Sequence, residues 1–260
     1  MASHESSRVQ VIDRAVELLN ALSRHPDGVT LTELSQHTGL HKATVLRFLK
    51  SLESNGLVEQ ERTGKIWTLG AGLFEIASRG RRGNDLREIA RPIMERTCRD
   101  TGETVQLAIL SGCDVIYVEK VEPDNLDLRI NTQIGSRRPI HCTALGKVLV
   151  AELPWSKVEW ILKQSGMPAK TPQTIRDPKI FRSELDKVRQ SGFSVDDHEF
   201  NELVICTAAP LRNASGGIVA GLSISTFGND SASQRFAEMI KAVSDAAEQI
   251  SGKLGYRKAD

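Results

Sequence analysis

Two groups of residues in this 260-residue chain have the types and spacing that recognition chemistry needs. The first is the run from His41 to Lys50, which holds Lys42, Arg47 and Lys50 and no acid. Drawn as a helix at about 100° per residue, Val45, Leu49 and Leu52, with Phe48 at their edge, form an apolar side. The opposite arc carries Ala43, Leu46, Arg47, Lys50 and Ser54. Such an arc suits a DNA groove. Arg reaches guanine bidentately, small and apolar groups meet the thymine methyl, and Lys and Thr hydroxyls meet phosphates. The candidate DNA contacts are therefore Lys42, Ala43, Thr44, Leu46, Arg47 and Lys50, with Arg62 and Lys65 at a nearby turn. Taken alone, the helix is equally a solvated face with three cations; its neighbours decide the matter.

The second group begins at Thr143-Ala144-Leu145-Gly146, which reads as a helix start. The first N–H groups of a helix lack internal acceptors and lie at the positive end of its dipole, so they can hold an anion. Other chemistry stays open at this point. Cys206 with His198 or His141 would be a nucleophile and its base, but a catalytic thiol needs a thiolate-stabilising partner. The run Val204-Ile205-Cys206-Thr207-Ala208-Ala209 reads instead as a quiet buried thiol. Asp196, His198, His141 and Cys206 offer mixed ligands for a metal or a thiol for an oxidant, without a recognised metal spacing. Neither G-x-S-x-G nor a P-loop occurs.

The elements that would position these groups follow from periodicity. Val9, Ile12, Val16, Leu19 and Leu22 recur at helical spacing from about Arg8 to Ser23, and His25-Pro26-Asp27-Gly28 breaks the run. Thr30-Leu31-Thr32-Glu33 reads as a capping box that starts a short helix ended by Gly39. The basic helix follows from about His41 to Asn55. Leu57-Val58-Glu59 and Ile66-Trp67-Thr68-Leu69 flank the polar turn Arg62-Thr63-Gly64-Lys65, a hairpin signal. Three helices, a tight glycine turn and a hairpin are the parts of a winged helix-turn-helix. Residues 71 to 99 read as helical, broken at Arg79-Gly80-Arg81-Arg82-Gly83, with Pro92 expected in a first helical turn. Beyond Glu103 the pattern turns to strands at 105–110, 115–118, 128–130, 204–206 and 218–225. Helices are expected at 143–153, 156–164, 181–190 and 232–254. This mixture predicts an α+β domain with an antiparallel sheet.

Length suggests about two domains. An apolar share of 40% and a charged share of 26% are ordinary for a globular chain. The net charge of +1 gives no global basic signature, so DNA binding rests on local charge. Met1 to Gln10 holds no apolar signal core and no membrane span is present, so a cytoplasmic location is expected. Cys98, Cys113, Cys142 and Cys206 form no C-x-x-C pair and read as reduced thiols. No cofactor and no resident metal are expected.

The chain also resembles the IclR family of regulators. The resemblance runs through Val11-Ile12-Asp13-Arg14-Ala15, Leu31-Thr32-Glu33-Leu34, the stretch from Gly39 to Arg47 and Gly56-Leu57-Val58. It continues through Thr101-Gly102-Glu103-Thr104-Val105, the stretches 139–149 and 192–199, and Cys206-Thr207-Ala208-Ala209-Pro210. It implies a winged helix-turn-helix over residues 1–70, a linker helix over 71–88 and a GAF-like effector-binding domain over 89–260. It also implies operator DNA as partner, a small organic, often aromatic, acid as effector, control of catabolic genes, and assembly into a dimer or tetramer. For a repressor or activator, RNA polymerase is a further candidate partner. By position, Asp196, Cys206, Ser223 and Ser225 correspond to effector-pocket residues, joining Thr143, Ala144 and Leu145. The i, i+2 spacing of the serines puts both hydroxyls on one sheet face. His141, Asp197 and Glu199 are read as structural or rim residues, Arg129 as a counter-charge, and Arg137-Arg138 as a solvated turn. The resemblance departs at Leu203, where glycine is usual, at Leu46 on the reading helix, and at Ala144-Leu145.

Overall fold

The computed structural model describes residues 9–61, 65–79, 81–124, 130, 132–228, 231 and 233–257, without the side chains of 77–85. The chain forms two compact units, Met1–Arg81 and Arg82–Asp260. Arg62, the strand expected at 128–130 apart from Ile130, Arg129 and the linker residue Gly80 lie outside the described residues.

The first unit holds α1 (Gln10–Ser23), β1 (Val29–Thr30), α2 (Leu31–Thr38), α3 (Lys42–Ser54), β2 (Val58–Gln60), β3 (Ile66–Leu69) and α4 (Ala71–Arg79). The capping box forms. Thr30 Oγ1 accepts from Glu33 N at 3.3 Å, and Glu33 Oε2 accepts from Thr30 N at 2.9 Å. Gly39 ends α2 at φ 66°, a left-handed conformation that favours glycine and turns the chain into α3. Leu18, Leu22, Leu34, Val45, Leu49, Val58 and Trp67 form the core, so the apolar side of α3 faces inward. β3 pairs antiparallel with both β1 and β2. The two-residue β1 is too short to show a period in the sequence.

The second unit holds α5 (Arg81–Thr101), β4 (Thr104–Ser111), β5 (Asp114–Val121), β6 (Arg137–Pro139), α6 (Ala144–Val150), α7 (Trp155–Ser165), α8 (Pro178–Ser191), β7 (Ser194–Asp197), β8 (Val204–Arg212), β9 (Ile218–Phe227) and α9 (Gln234–Lys253). Its six-stranded sheet has the order β6-β5-β4-β9-β8-β7, with every pair antiparallel. Alternation sends Leu107, Ile205, Ala209, Leu222 and Ile224 to a core shared with residues of α5 and α9. Ala108, Tyr117 and Ala208 join a second core with residues of α6, α7 and α8. This is the α+β architecture expected. Several details differ, among them β7, which was not expected, and β8, which runs to Arg212. Pro92 lies inside α5, where it cannot donate to the carbonyl one turn back. α6 ends at Val150 instead of Leu153. Arg137-Arg138 is not a free turn but part of edge strand β6, paired with β5. Among the described residues no helix is long and apolar enough to cross a membrane.

Helix α6 is held unusually close to its surroundings. A Cβ on Gly146 would lie 2.4 Å from Ile140 O and 2.5 Å from Ile140 Cα. A Cβ on Gly221 of β9 would lie 2.9 Å from Leu145 Cδ2. These two glycines let the start of α6 lie against the sheet. An ordinary helical Gly→Ala change stabilises by about 0.4–1 kcal/mol. At Gly146 the clash is with rigid backbone, so Gly146→Ala is expected to destabilise, by about 1–3 kcal/mol. Chemical denaturation of the full chain checks the sign, and a stabilised variant would refute the close approach.

Candidate effector cavity and DNA-reading helix

A cavity of about 160 Å3 lies in the second unit, over the sheet face that α6 covers. Thr143, Ala144, Leu145, Asp196, Cys206, Ser223 and Ser225 all line it, brought together from α6 and its cap, β7, β8 and β9. Register explains the convergence. Asp196 stands opposite Cys206, and Cys206 opposite Ser225, so the three form one row across three antiparallel strands. Ser223 pairs with Ala208 on one side and Gln106 on the other, one row along. Leu222 and Ile224 are buried in the opposite core, as alternation requires.

Thr143 caps α6. Its Oγ1 accepts from Gly146 N at 3.1 Å and donates to Pro139 O at 2.9 Å. The hydroxyl is thereby occupied in both roles, which makes Thr143 chiefly a cap. The N–H groups of Ala144 and Leu145, in the first turn, have no intrahelical acceptor. Asp196 is 3% exposed, and its Oδ1 accepts from Glu199 N at 2.8 Å and Phe200 N at 3.3 Å. Burial, helped by the neighbouring Glu199 carboxylate, outweighs these bonds and pushes its pKa up to about 7. Burial also pushes the Cys206 thiol well above its ordinary value and the Cys142 thiol to about 12. Both therefore stay protonated at neutral pH, which removes the thiolate that a nucleophile needs. His141 is wholly buried, its Nε2 3.2 Å from Pro168 O, and burial lowers its pKa. Among the described residues, no three His, Cys, Asp or Glu side chains are placed to hold a metal.

Sequence reasoning missed several lining residues, Gln106, Tyr117, Arg138 and Phe200 among them. Arg138 is the correction with most chemical weight. Paired in β6, it is half-buried, its guanidinium lies 5.0 Å from the Phe200 ring centre, and it brings a positive charge to the cavity wall. No local pattern marks it, because two adjacent arginines in a polar stretch read as solvated. Gln106 is 2% exposed in an apolar strand, and a polar residue there was the available signal.

In the first unit, Lys42, Ala43, Leu46 and Arg47 are exposed on α3, while Thr44 is half-buried. Arg47 makes no ion pair with a described residue. Lys50, a candidate phosphate contact, also has partners within the chain. Its Nζ bonds Glu53 Oε2 at 2.8 Å and Gln60 Oε1 at 3.0 Å, and sits 5.1 Å from the centre of the Trp67 ring. It therefore ties α3 to the hairpin strands. Lys65 is exposed at the start of β3.

The raised pKa of Asp196 has a signed consequence. A carboxyl that binds its proton more tightly folded than unfolded favours the native state at low pH. That contribution is lost as pH rises towards and through about 7. Asn keeps the acceptor for Glu199 and Phe200 but cannot ionise. In thermal unfolding of the full chain, Asp196→Asn is expected to match the unsubstituted protein only at or below about pH 4 and to exceed it by a margin that grows up to about pH 7. A melting difference independent of pH would refute the assignment.

Known proteins share this architecture. Residues 11–62 match the IclR helix-turn-helix domain, and residues 82–252 the bacterial transcriptional regulator IclR C-terminal domain. The HTH-type transcriptional regulator KipR of Bacillus subtilis is 34% identical over 95% of this chain and 98% of its own length. KdgR of Escherichia coli is 34% identical over 92% of this chain and 90% of its own. The solved IclR of Thermotoga maritima superposes with a TM-score of 0.76 at 28% identity, over 96% of this chain and 100% of its own. An IclR homolog from Microbacterium hydrocarbonoxydans, complexed with 4-hydroxybenzoate, shares the fold with a TM-score of 0.83 at 24% identity, over 94% and 98%. Two matching domains in order and relatives named as regulators along nearly the whole chain lead to one conclusion: this protein belongs to the IclR family and is a DNA-binding transcriptional regulator, not an enzyme.

Proposed function

We propose that a small organic acid, no larger than a single substituted aromatic ring, fills the cavity between α6 and the sheet and controls operator binding. The genes controlled would be those that consume such an acid. The observation that carries this reading is the meeting of seven lining residues, from four separate chain segments, around buried hydroxyl and amide groups without partners among the described residues. An apolar cavity of about 150 Å3 in another protein takes up benzene, so 160 Å3 suits one ring or a shorter oxo or hydroxy acid. Arg138 and the first N–H groups of α6 offset the ligand's charge. The 4-hydroxybenzoate held by the Microbacterium protein is of this chemical class.

Operator reading falls to α3, with Arg47 at the centre of its exposed arc and Lys42, Ala43, Thr44 and Leu46 beside it. Paired half-sites about one DNA turn apart need paired helices. The second copy of the chain would cover the exposed apolar side chains of Val9, just before α1, of α1 (Ile12 and Val16) and of α4 (Phe74 and Ile76). Regulation requires that the acid bind the DNA-competent and DNA-incompetent arrangements unequally.

The full-length chain, titrated on a duplex selected from a random pool, tests both halves of the reading. Arg47→Ala is expected to weaken binding by about 1–3 kcal/mol and to relax the base preference; unchanged affinity and selectivity would remove Arg47 from the interface. Benzoate, 4-hydroxybenzoate and pyruvate form the acid panel, with methyl 4-hydroxybenzoate as the uncharged control. An acid that binds should stabilise the protein by about 2.7 kcal/mol at a hundredfold excess over its Kd and shift the DNA titration. If no acid does either, the effector reading fails.

Light scattering checks the assembly. A dimer or tetramer is expected at micromolar concentration, with Ile12→Glu and Phe74→Glu lowering the mass. A monomeric unsubstituted chain would end this part of the proposal.

A further inference from the structure

Gln106 lies on β4, 2% exposed, with Ser223 of β9 opposite it in the register. Both line the cavity. Ser225 Oγ donates to Gln106 Oε1 at 3.4 Å. That bond has Oε1 turned to Ser225. The Nε2 end then carries two N–H donors, and it has no partner among the described residues although it is fully enclosed. The Ser223 hydroxyl is likewise enclosed and has no partner among the described residues. A buried donor left unpaired is costly, and native interiors seldom keep one. Here two such groups sit on facing strands, in one cross-strand pair, at the wall of one cavity. An acceptor that enters the cavity would complete both.

We propose that Gln106 is the specificity-determining residue of this cavity: its amide N–H, together with the Ser223 hydroxyl, holds a carboxylate of the effector, and Ser225 is a positioning residue that keeps the amide turned that way. This rests on the reading of the cavity as an effector site. A carboxylate suits the pair better than a neutral carbonyl. Hydrogen bonds to an ionised acceptor are shorter and roughly twice as strong, and one oxygen can meet each donor. Ser225 lies 1% exposed in the row that includes Cys206 and Asp196, and its hydroxyl bonds Gln106. The two cavity serines thus divide their work: Ser223 touches the ligand, and Ser225 orients the group that does.

Calorimetric titration of the full-length chain with benzoate, 4-hydroxybenzoate and pyruvate tests this, using the unsubstituted protein, Gln106→Met and Gln106→Glu. Met keeps the length of the side chain and removes both donors. Glu keeps an acceptor for Ser225 but sets a negative charge against the ligand. For whichever acid the unsubstituted chain binds, Gln106→Met is expected to weaken binding about 10- to 100-fold, and Gln106→Glu to weaken it further. A second readout does not depend on the variants folding: the side-chain amide resonances of Gln106 in the unsubstituted protein should move on saturation with the acid. If an acid binds, Gln106→Met stays within twofold and the amide resonances stay in place, the role of Gln106 is overturned while the effector reading stands. If none of the acids binds the unsubstituted chain, the effector reading itself fails, and this inference with it.

Discussion

One buried cation organises the second unit. Lys147 is wholly enclosed on α6, and its Nζ donates to Val195 O at 2.6 Å, to Glu184 Oε1 at 3.3 Å and to Glu199 Oε1. An ammonium removed from water is tolerated only when it is paired and hydrogen-bonded. The three acceptors come from β7, from α8 and from the segment after β7, so satisfying one charge draws three elements onto α6. Glu199 is in turn tied to Asp196, whose Oδ1 accepts from Glu199 N. The cavity wall formed by Asp196 and Phe200 thus inherits its position from Lys147. The same arrangement accounts for the electrostatics, because Glu199 near Asp196 adds to burial in raising the Asp196 pKa.

Close packing supplies the second constraint. Gly146 and Gly221 let α6 approach Ile140 and β9 more nearly than any side chain would permit. Ser194 Oγ donates to Ala144 O at 2.6 Å and fastens the first turn of α6 to β7. The result is a helix start set over a sheet row whose side chains are small and polar. Large apolar residues in place of Ser223, Ser225 and Cys206 would fill the space and close the cavity. The row leaves room, and it leaves hydrogen-bonding groups unsatisfied within that room.

The reading head is built on a different economy. Val45, Leu49 and Leu52 bury one side of α3, which leaves the other side exposed and free of packing constraints. Lys50 joins α3 to the hairpin through Gln60 and Trp67, so the orientation of the wing strands relative to α3 does not rely on apolar contacts alone. Arg47 makes no such bond with a described residue and is exposed.

Much of this was legible in the residues themselves. Helical spacing, the Thr30–Glu33 capping box and the turn at Gly39 are local signals, encoded within a few residues and settled by backbone chemistry there. The i, i+2 spacing of Ser223 and Ser225 fixed their shared face for the same reason, since strand alternation is local. What the sequence could not decide was register between distant strands. That Asp196 meets Cys206, that Cys206 meets Ser225, and that Gln106 meets Ser223 depends on pairings separated by as many as 117 positions between Gln106 and Ser223. The short strands β1, β6 and β7 carry too few residues to show a period, so Arg138 read as solvated until its pairing with Val115 placed it at the cavity wall. Lys50 likewise read as a free cation, because its partners on the hairpin are brought near only by the fold. Local pattern determined the elements and the faces they present; long-range pairing and the pairing of buried polar groups decided which faces meet.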